Sequence, residues 1–390
     1  MPMVDDLKVR RVLNSRASWA LELDLLVDGR QSRASVPAGK SKGKLEAVQL
    51  PAEKSLKLAP AFGKKLKRRF ENQTELDRHL IKLAGPGKRK TGADLTLATS
   101  IAFLKSQGDA WEVISRLTGS LPALPTPMFN IINGGLHAGN NLAVQEFMIV
   151  PHDFGSFSEK VEAGVEIYAE LKKQLEAKYG RSATNLGDEG GFAPPMNSTV
   201  EALEMLEAVL AKTGYAKTVG ISLDCAASSY HSHKGYQIDG QLLNREDYLS
   251  YLAGLCEHHS LFSVEDPLEE TDFKGFATFL DRANTMVVGD DLLVTNPTRL
   301  AKAIRLKAGN AVLVKPNQIG TVTETLEVIR LAREAGWKFV VSHRSGETND
   351  TFITHLAVGT ATPFIKTGAP ARGERVAKYN ELLRLEEVIA

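Results

Sequence analysis

The sequence predicts an α/β protein in which a (β/α) barrel follows a smaller α+β domain. From about residue 121 onward, short apolar runs alternate at least five times with amphipathic helical segments, which is typical of a parallel sheet covered by helices. The first 120 residues lack this alternation, and the proline-punctuated stretch LPALPTP (121–127) follows them. We therefore expect domains at 1–120 and 121–390. An open doubly wound sheet is the alternative to the barrel.

Composition limits the classes of partner. The 390 residues include 48 Lys and Arg against 47 Asp and Glu, so no overall field favours nucleic acid or an anionic membrane. The basic run KKLKRR (64–69) fits the wet face of a helix. With two cysteines, no spanning apolar segment and no signal-peptide pattern, we expect a cytoplasmic protein.

In the first domain, WALELDLLVDG (19–29) alternates apolar and polar residues and ends at Asp28-Gly29, which predicts a strand and a hairpin turn. QSRASVP is the expected partner strand, and helical segments follow between 45 and 108. The loop VPAGKSKGK (36–44) ends like a nucleotide-binding P-loop. Ala34 stands where that motif requires glycine, so a P-loop is not expected, and a solvated surface loop is the plain alternative.

The barrel segments share one regularity: each strand-like run ends in a residue capable of chemistry. Thr295 or Asn296 can cap one intervening helix, with Pro297 at its first position, and Ser198 with Glu201 predicts the start of another. Gly309 is the predicted end of the first of these helices. The carboxyl ends of parallel barrel strands open on one face, so the strand-end side chains should converge there. The runs are VGISLD, LFSVEDP, TMVVGDD, NAVLVKP and KFVVSHR, ending at Asp224, Glu265, Asp290, Lys315 and His343-Arg344.

Three of these strand-end residues, Asp224, Glu265 and Asp290, are carboxylates that would repel one another without a cation. Oxygen ligands without His or Cys suit Mg²⁺. The alternative is that each carboxylate caps the helix after its strand. Lys315, beside such a cation, could act as a base; the alternative is a salt bridge to one of the carboxylates.

Two loops add further candidates. NLGDEGGFAPP (185–195) has glycines that permit tight turns and bring Glu189 into a site, although a plain surface turn fits as well. NIINGGLHAGNNLAVQEFM (130–148) gathers polar residues in an apolar setting, as a ligand-lining loop and strand would. Together with the cations near the C-terminus, these loops suit an anionic, phosphorylated substrate. The residues concerned are His137, Gln145, Glu146, Arg344, Ser345 and Lys366.

Taken together, these motifs resemble the enolase family. The matching segments, densest from about 125 to 387, include FNIINGGLHAGNN, GDEGGFAP, SVEDPLEE, GDDLLVTNP, LVKPNQIGT, VSHRSGETNDTFI and IKTGAPARGERVAKYNELLRLEE. The resemblance implies an α+β N-terminal capping domain on an enolase-type (β/α) barrel whose first units depart from the usual order. It also implies a homodimer and the reversible dehydration of 2-phosphoglycerate to phosphoenolpyruvate, with Mg²⁺ as cofactor.

The resemblance also implies roles for individual residues. Lys315 corresponds to the base, Glu189 to the general acid and Glu146 to a second carboxylate near the leaving hydroxyl. The remaining correspondences are Asp224, Glu265 and Asp290 as ligands of a first Mg²⁺, Arg344 and Ser345 as phosphate contacts, Lys366 as a substrate-carboxylate contact, and His137, Gln145 and His343 as further substrate-binding residues.

The chain departs from the family pattern mainly in its N-terminal third. NSRASWALEL (14–23) keeps little of the usual opening motif, and Ser229 replaces a family glutamate. The loop 36–44 aligns with the family's lid, V-P-S-G-A-S-T-G: Gly39 and Ser41 are kept, but Lys40 and Lys42 are new. Ser41 is the expected ligand of a second Mg²⁺. Either the enzyme works normally and a lysine adds a phosphate contact or faces water, or a lysine replaces part of that metal's charge. A paralogue with another acidic substrate and a non-catalytic binding protein are the alternative functions.

Overall fold

The computed structural model describes residues 1–39 and 43–389. The chain begins with a three-stranded antiparallel sheet in the order β1-β2-β3. The turn at Asp28-Gly29 joins β2 to β3, which confirms the predicted hairpin. The strands are β1 (Val4–Leu13), β2 (Trp19–Val27) and β3 (Arg30–Val36).

Four helices follow the sheet. Helix α3 is buried along almost its whole length because it packs between the sheet and the barrel. Leu23 and Leu25 of β2, Leu97 and Ile101 of α3, and barrel residues belong to one continuous apolar core. The helices are α1 (Ala52–Leu66), α2 (Gln73–Ala84), α3 (Ala93–Lys105) and α4 (Ala110–Thr118).

The rest of the described chain forms a closed eight-stranded barrel in the order β4-β5-β6-β10-β11-β12-β13-β14. β5 runs antiparallel to both β4 and β6, and the other neighbouring strands are parallel. The barrel prediction is confirmed, including its unusual first units, and the open-sheet alternative is wrong. The strands are β4 (Thr126–Asn133), β5 (Glu146–Pro151), β6 (Val219–Asp224), β10 (Ser263–Glu265), β11 (Met286–Gly289), β12 (Ala311–Val314), β13 (Lys338–Ser342) and β14 (Phe364–Lys366).

A small sheet, β7-β8-β9, lies between β6 and the next helix. Its strands are β7 (His231–Ser232), β8 (Gly235–Ile238) and β9 (Gln241–Leu243). Helices surround the barrel, and none of the described helices is both long and apolar enough to span a membrane. They are α5 (Phe157–Tyr179), α6 (Thr199–Thr213), α7 (Arg245–His258), α8 (Phe273–Arg282), α9 (Pro297–Leu306), α10 (Pro316–Ile319), α11 (Val322–Glu334), α12 (Phe352–Gly359) and α13 (Gly373–Ile389).

Local signals at the helix ends were mostly predicted correctly. The Asn296 side chain accepts hydrogen bonds from the backbone of Thr298 and Arg299, with Pro297 opening α9. The end of α9 differs from the prediction: Lys307 adopts the left-handed conformation (φ 53°) and terminates the helix before Gly309. A lysine at a position that favours glycine carries a modest conformational cost.

The N-terminal sheet is fixed to the mouth of the barrel at the loop after β13. Ala38 and Gly346 exchange two backbone hydrogen bonds of 3.0 and 2.9 Å. Ser15 N donates to Glu347 O at 2.8 Å, and Ser15 Oγ to Ser345 O at 2.9 Å. This docking brings the start of the predicted lid next to the strand-end residues of β13.

Candidate active site

The ends of three neighbouring strands place three carboxylates side by side. β5 pairs antiparallel with β6, which puts Glu146 opposite Asp224. β6 pairs in parallel with β10, which puts Asp224 beside Glu265. All three residues are buried. Because a buried carboxylate loses its hydration, three at adjacent register positions require compensating positive charge or protonation.

The ammonium group of Lys366, at the end of β14, supplies that positive charge. Its Nζ lies 2.8 Å from Asp224 Oδ2, 2.9 Å from Glu265 Oε2 and 3.0 Å from Glu146 Oε2. Burial lowers the pKa of Lys366, but the charges of these carboxylates outweigh it and hold the pKa well above its ordinary value. Lys366 is therefore a charged centre that joins β5, β6 and β10.

Lys315 forms a second ion pair at the mouth of the barrel. Its Nζ lies 2.5 Å from Asp290 Oδ2, and Gln318 Nε2 donates to Asp290 Oδ1 at 2.9 Å. Burial lowers the pKa of Lys315, but the charge of Asp290 outweighs it and raises the pKa. The salt bridge that sequence reasoning left open is thus present, and the role of Lys315 as a base stays a prediction.

The carboxylates have the chemistry of a magnesium site. Among the described residues, Glu265 Oε1 is buried without a hydrogen-bond partner. Burial, followed by the charge of Asp224, raises the pKa of Glu265 well above its usual range. A carboxylate oxygen without a donor, next to other carboxylates, is the type of ligand that Mg²⁺ accepts. The donor set therefore fits the predicted ion.

Asp224, Glu265 and Asp290 do not form one cluster of ligand atoms in the described part of the chain. Asp224 and Glu265 contact Lys366, whereas Asp290 contacts Lys315. In the described part of the chain, two other groups of side chains bring possible metal-ligating atoms within 4.8 Å of one another. Asp290 belongs to one of them, and both consist of residues at the strand ends and in the loops at the mouth of the barrel. They are His137 with Glu146 and Glu189, and Asp266 with Asp290 and Asp291.

His137 lies between the two carboxylates of the predicted acid pair. Its Nδ1 is 3.5 Å from Glu146 Oε1 and 3.7 Å from Glu189 Oε1. Burial and the charge of Glu189 raise the pKa of Glu146 to about 7. Burial also acts to raise the pKa of Glu189, but contacts with His343 and His137 and the charge of Arg375 outweigh it and hold the pKa well below its usual range. Glu189 is therefore ionised, whereas Glu146 binds a proton near neutral pH.

Glycines allow the loop that carries Glu189 to approach β4 closely. A Cβ at Gly187 would lie 2.6 Å from Asn133 Oδ1, and one at Gly191 would lie 2.7 Å from the same atom. Gly190 has φ +89°, which other residues rarely adopt. The prediction that glycines bring Glu189 into a site is consistent with this geometry, and Asn130 Nδ2 donates to Glu189 Oε2 at 3.2 Å.

Arg344, after β13, is a buried guanidinium with a carboxylate partner. Glu46 Oε1 lies 3.0 Å from Nη2 and Glu46 Oε2 lies 3.1 Å from Nη1, and Nη1 also donates to Asn317 Oδ1 at 3.0 Å. Glu46 accepts a further hydrogen bond from Gly43 N at 3.2 Å. A guanidinium that binds one anion through two nitrogens has the geometry for a phosphate.

The predicted lid begins and ends against this region. Gly39 lines the cavity at the barrel mouth. A Cβ at Gly43 would lie 2.7 Å from Val294 Cγ1, so only glycine permits this approach to the barrel. The remaining predicted lid residues, Lys40, Ser41 and Lys42, lie outside the described residues.

One cavity collects most of the predicted site residues. Asp290 and Glu265 do not line it, but they contact its two lysines. Sequence reasoning missed Glu46, Gln318 and Arg375, which hold these residues in place. The cavity is lined by Gly39, His137, Gln145, Glu146, Glu189, Asp224, Lys315, Ser342, His343, Arg344, Ser345 and Lys366.

Comparison with known proteins agrees with this arrangement. The model of the enolase C-terminal TIM barrel domain matches residues 122–390, and that of the enolase N-terminal domain matches residues 4–114. The chain belongs to the enolase family. The enolase of Methanocaldococcus jannaschii is 42% identical over 405 aligned positions, covering 98% of this chain and 95% of that protein. The enolase of Methanopyrus kandleri is 43% identical, covering 100% of this chain and 97% of the relative. The enolase of Aeropyrum pernix is also 43% identical, covering 99% and 95%.

The enolase N-terminal match extends through the part of the chain whose motifs depart most from the family pattern. The divergence noted at 14–23 and in the lid therefore lies within an enolase domain. Enolases are lyases, and the chain is an enzyme of that class.

Proposed function

We propose that the chain catalyses the reversible dehydration of 2-phosphoglycerate to phosphoenolpyruvate with the residues of the barrel-mouth cavity. One observation carries this assignment of residues: a single buried cavity holds a lysine, two carboxylates of unlike pKa and an anion-binding arginine. The reaction needs a proton removed next to a carboxylate and a proton donated to a departing hydroxide. The cavity contains side chains suited to both steps.

The positions of the base and the acid support an elimination across the substrate. Lys315 follows β12 and Glu146 begins β5, and these strands lie four places apart in the eight-stranded barrel. The two groups therefore face the cavity from opposite sides. We propose that Lys315 Nζ removes the proton and that the pair Glu146 and Glu189 supplies one to the leaving hydroxyl.

The pKa values refine the roles within that pair. Glu189 is the general acid expected from the sequence, yet its pKa is held well below the usual range and that of Glu146 is raised to about 7. We propose that the transferable proton resides on Glu146 before substrate binds. His137, within 3.7 Å of both carboxylates, then connects the two sites. Groups whose environments push their pKa values apart are suited to opposite roles in proton transfer.

The remaining residues bind and orient the substrate. We propose that Arg344 and Ser345 hold the phosphate, that Lys366 holds the carboxylate, and that Gln145 and His343 complete the cavity. Asp224, Glu265 and Asp290 are the proposed Mg²⁺ ligands, with Ser41 for a second ion. Bound Mg²⁺ supplies positive charge that stabilises the second negative charge developing on the substrate carboxylate. Lys315 loses its ion-pair partner when Asp290 serves as a ligand, and burial then favours its neutral, basic form.

We further propose domain limits at 1–120 and 121–390, a homodimer or higher homo-oligomer, and a cytoplasmic location. None of the partners proposed here is a nucleic acid or a membrane. Sedimentation of the purified chain measures the oligomer, and a monomer at assay concentrations would contradict that part.

The test of function is direct. Purified protein, 2-phosphoglycerate and Mg²⁺ should increase the ultraviolet absorbance of phosphoenolpyruvate, and EDTA should stop the increase. Lys315→Ala should reduce the activity by about 100- to 10,000-fold. Lys274→Ala, at an exposed lysine on the barrel surface, should leave it unchanged. No signal from the wild-type protein at high enzyme concentration would refute the proposal.

The lid lysines are tested by metal titration. Activity is measured against Mg²⁺ concentration for the wild type and for Lys40→Ala. If Lys40 replaces part of the charge of a second ion, the variant needs more Mg²⁺ or works more slowly. Identical metal dependence and rate would show that this lysine does not substitute for the metal.

A further inference from the structure

The most deeply buried cation of the site is Arg375, in the first turn of α13. Its exposed fraction is 0%, and it is the largest fully buried side chain in the described part of the protein. A guanidinium carries only donors and stays charged, so burying one requires several acceptors around it.

The acceptors around Arg375 come from two loops of the site, the loop after β13 and the loop that carries Glu189. Nη1 donates to Arg344 O at 2.7 Å, and Nη2 donates to Ser345 O at 2.7 Å and to Asp188 O at 3.3 Å. Asp188 immediately precedes Glu189. One guanidinium therefore fixes the loop after β13 against the loop that carries the acid.

Arg375 Nε also lies 3.5 Å from Glu374 Oε1. The contact of Arg375 with His343 determines a protonation state. Arg375 Nη1 lies 2.7 Å from His343 Nδ1. Because the guanidinium can only donate, His343 Nδ1 must accept, and a neutral imidazole then carries its proton on Nε2. That nitrogen lies 3.2 Å from Glu189 Oε2.

Neutral imidazole fits the surroundings of His343. Burial lowers its pKa to about 3; Glu189 opposes that shift, and the charges of Arg375 and Lys366 add to it. Within the described residues Nε2 has no well-aligned acceptor yet. Hydrogen bonds of this kind often tighten only when substrate completes the site.

We propose that Arg375 is a positioning residue that holds His343 in the tautomer protonated at Nε2, so that His343 donates to Glu189 and aims its carboxylate at the leaving group. The proposal rests on the proposed function for its catalytic consequence. Its structural claim, the tautomer, stands on the two contacts of His343 and is measured without substrate.

The first experiment uses the wild-type protein labelled with ¹⁵N-histidine, in which His343 is assigned by comparison with His343→Gln. Two-bond proton–nitrogen correlation spectra distinguish a protonated from an unprotonated ring nitrogen. We expect His343 Nδ1 to be unprotonated and Nε2 protonated from pH 5 to 8. A proton on Nδ1 in the wild type overturns the proposal, whatever the activity of the protein.

The second experiment compares Arg375→Met and Arg375→Lys with Arg372→Met. Arg372 is a fair control because it also donates to the glycine loop, at Gly187 O over 3.2 Å, and does not contact His343 in the hydrogen bonds described. Arg375→Met should let His343 change tautomer or take a proton at a higher pH, while Arg372→Met should keep the wild-type spectrum. Arg375→Lys retains a positive charge and a group that can only donate, so it should restore the wild-type tautomer in part.

Kinetics then separate positioning from a general structural effect. In Arg375→Met, kcat should fall by up to about 100-fold, the scale of a misplaced catalytic group, with a smaller change in KM. Its kcat should also gain a dependence on pH that the wild type and Arg372→Met lack. A wild-type tautomer together with a parallel pH profile in Arg375→Met would refute the proposal. If that variant does not fold, the wild-type spectrum and Arg375→Lys decide the matter.

Discussion

The strongest test of the site's electrostatics is to remove its central cation with Lys366→Met. Lys366 Nζ lies within 3.0 Å of Glu146, Asp224 and Glu265, and methionine keeps the apolar stem without the charge. Deleting one partner of a buried ion pair costs about 3–5 kcal/mol, because the other charge is left uncompensated. We expect a loss of that size in the free energy of unfolding at pH 8 in EDTA.

The loss should depend on pH with a definite sign. The pKa of Glu146 is raised to about 7 and that of Glu265 lies well above its usual value, so the folded state binds protons that the unfolded state releases. Stability then falls as the pH rises from the unfolded pKa through the folded one. Without Lys366 both pKa values rise further. The deficit should therefore shrink towards pH 5, where Glu146 and Glu265 are protonated.

Lys378→Met is the matched control for chemical denaturation. Lys378 is also fully buried, but its Nζ donates to Thr348 O at 2.5 Å and faces the single carboxylate of Glu347 at 3.5 Å. Added Mg²⁺ should stabilise Lys366→Met by about 2.7 kcal/mol at 100 times the dissociation constant. Because no ammonium group competes for its carboxylates, this should occur at lower Mg²⁺ concentrations than in the control, whose Lys366 is intact. A Lys366→Met protein as stable as the wild type at pH 8, or with the same pH and Mg²⁺ response as the control, would refute the reasoning.

Three further predictions follow from single residues. Lys315→Ala should slow dehydration by about 100- to 10,000-fold, the usual contribution of a general base. Exchange of the substrate proton with D₂O should slow by the same factor. An unchanged exchange rate would show that Lys315 is not the base. Glu146→Gln should be more stable than the wild type at pH 8 in EDTA and lose that advantage near pH 5, since the raised pKa of Glu146 makes its ionised form costly; equal urea midpoints at both pH values would contradict this. Asp77→Leu should lower the free energy of unfolding in urea by several kcal/mol. Asp77 accepts hydrogen bonds from Thr323 N and Oγ1 at 2.8 and 2.6 Å, and each buried donor left unpaired costs about 1–3 kcal/mol. Asp77→Asn should lower the free energy of unfolding less.

Sequence reasoning identified the candidate residues better than it identified their partners. Asp224 and Glu265 were visible because each ends an apolar run, and in a parallel barrel such ends face one opening. The sequence did not show that these two carboxylates contact the same lysine ammonium group. That depends on strand register, which places Ser342 beside Lys366 and Lys366 beside Met128 across distant segments.

Arg375 shows what pattern reading cannot find. In GERVAKYN it resembles an ordinary charged residue near the start of a surface helix. Its complete burial follows from three loop carbonyls and one imidazole that converge only after the barrel closes. One sequence feature agrees with the burial of Arg375 once the structure is known. Tyr379, four residues later on the same helical face, is also buried.

The contacts of Lys366 explain why metal and substrate should bind together. Lys366 holds Asp224 and Glu265, so a substrate carboxylate that takes its ammonium group would leave two buried carboxylates uncompensated. A divalent cation on those carboxylates would instead release Lys366 for the substrate. Binding of the cation supplies a partner for the carboxylates that Lys366 leaves, and binding of the substrate supplies a partner for the ammonium group of Lys366. A non-reactive phosphorylated carboxylate should therefore bind more tightly with Mg²⁺ present, within the roughly 5- to 150-fold range of typical couplings, and Lys366→Met should weaken that coupling. Calorimetric affinities that are the same with and without Mg²⁺ would show that the two ligands do not exchange partners in this way.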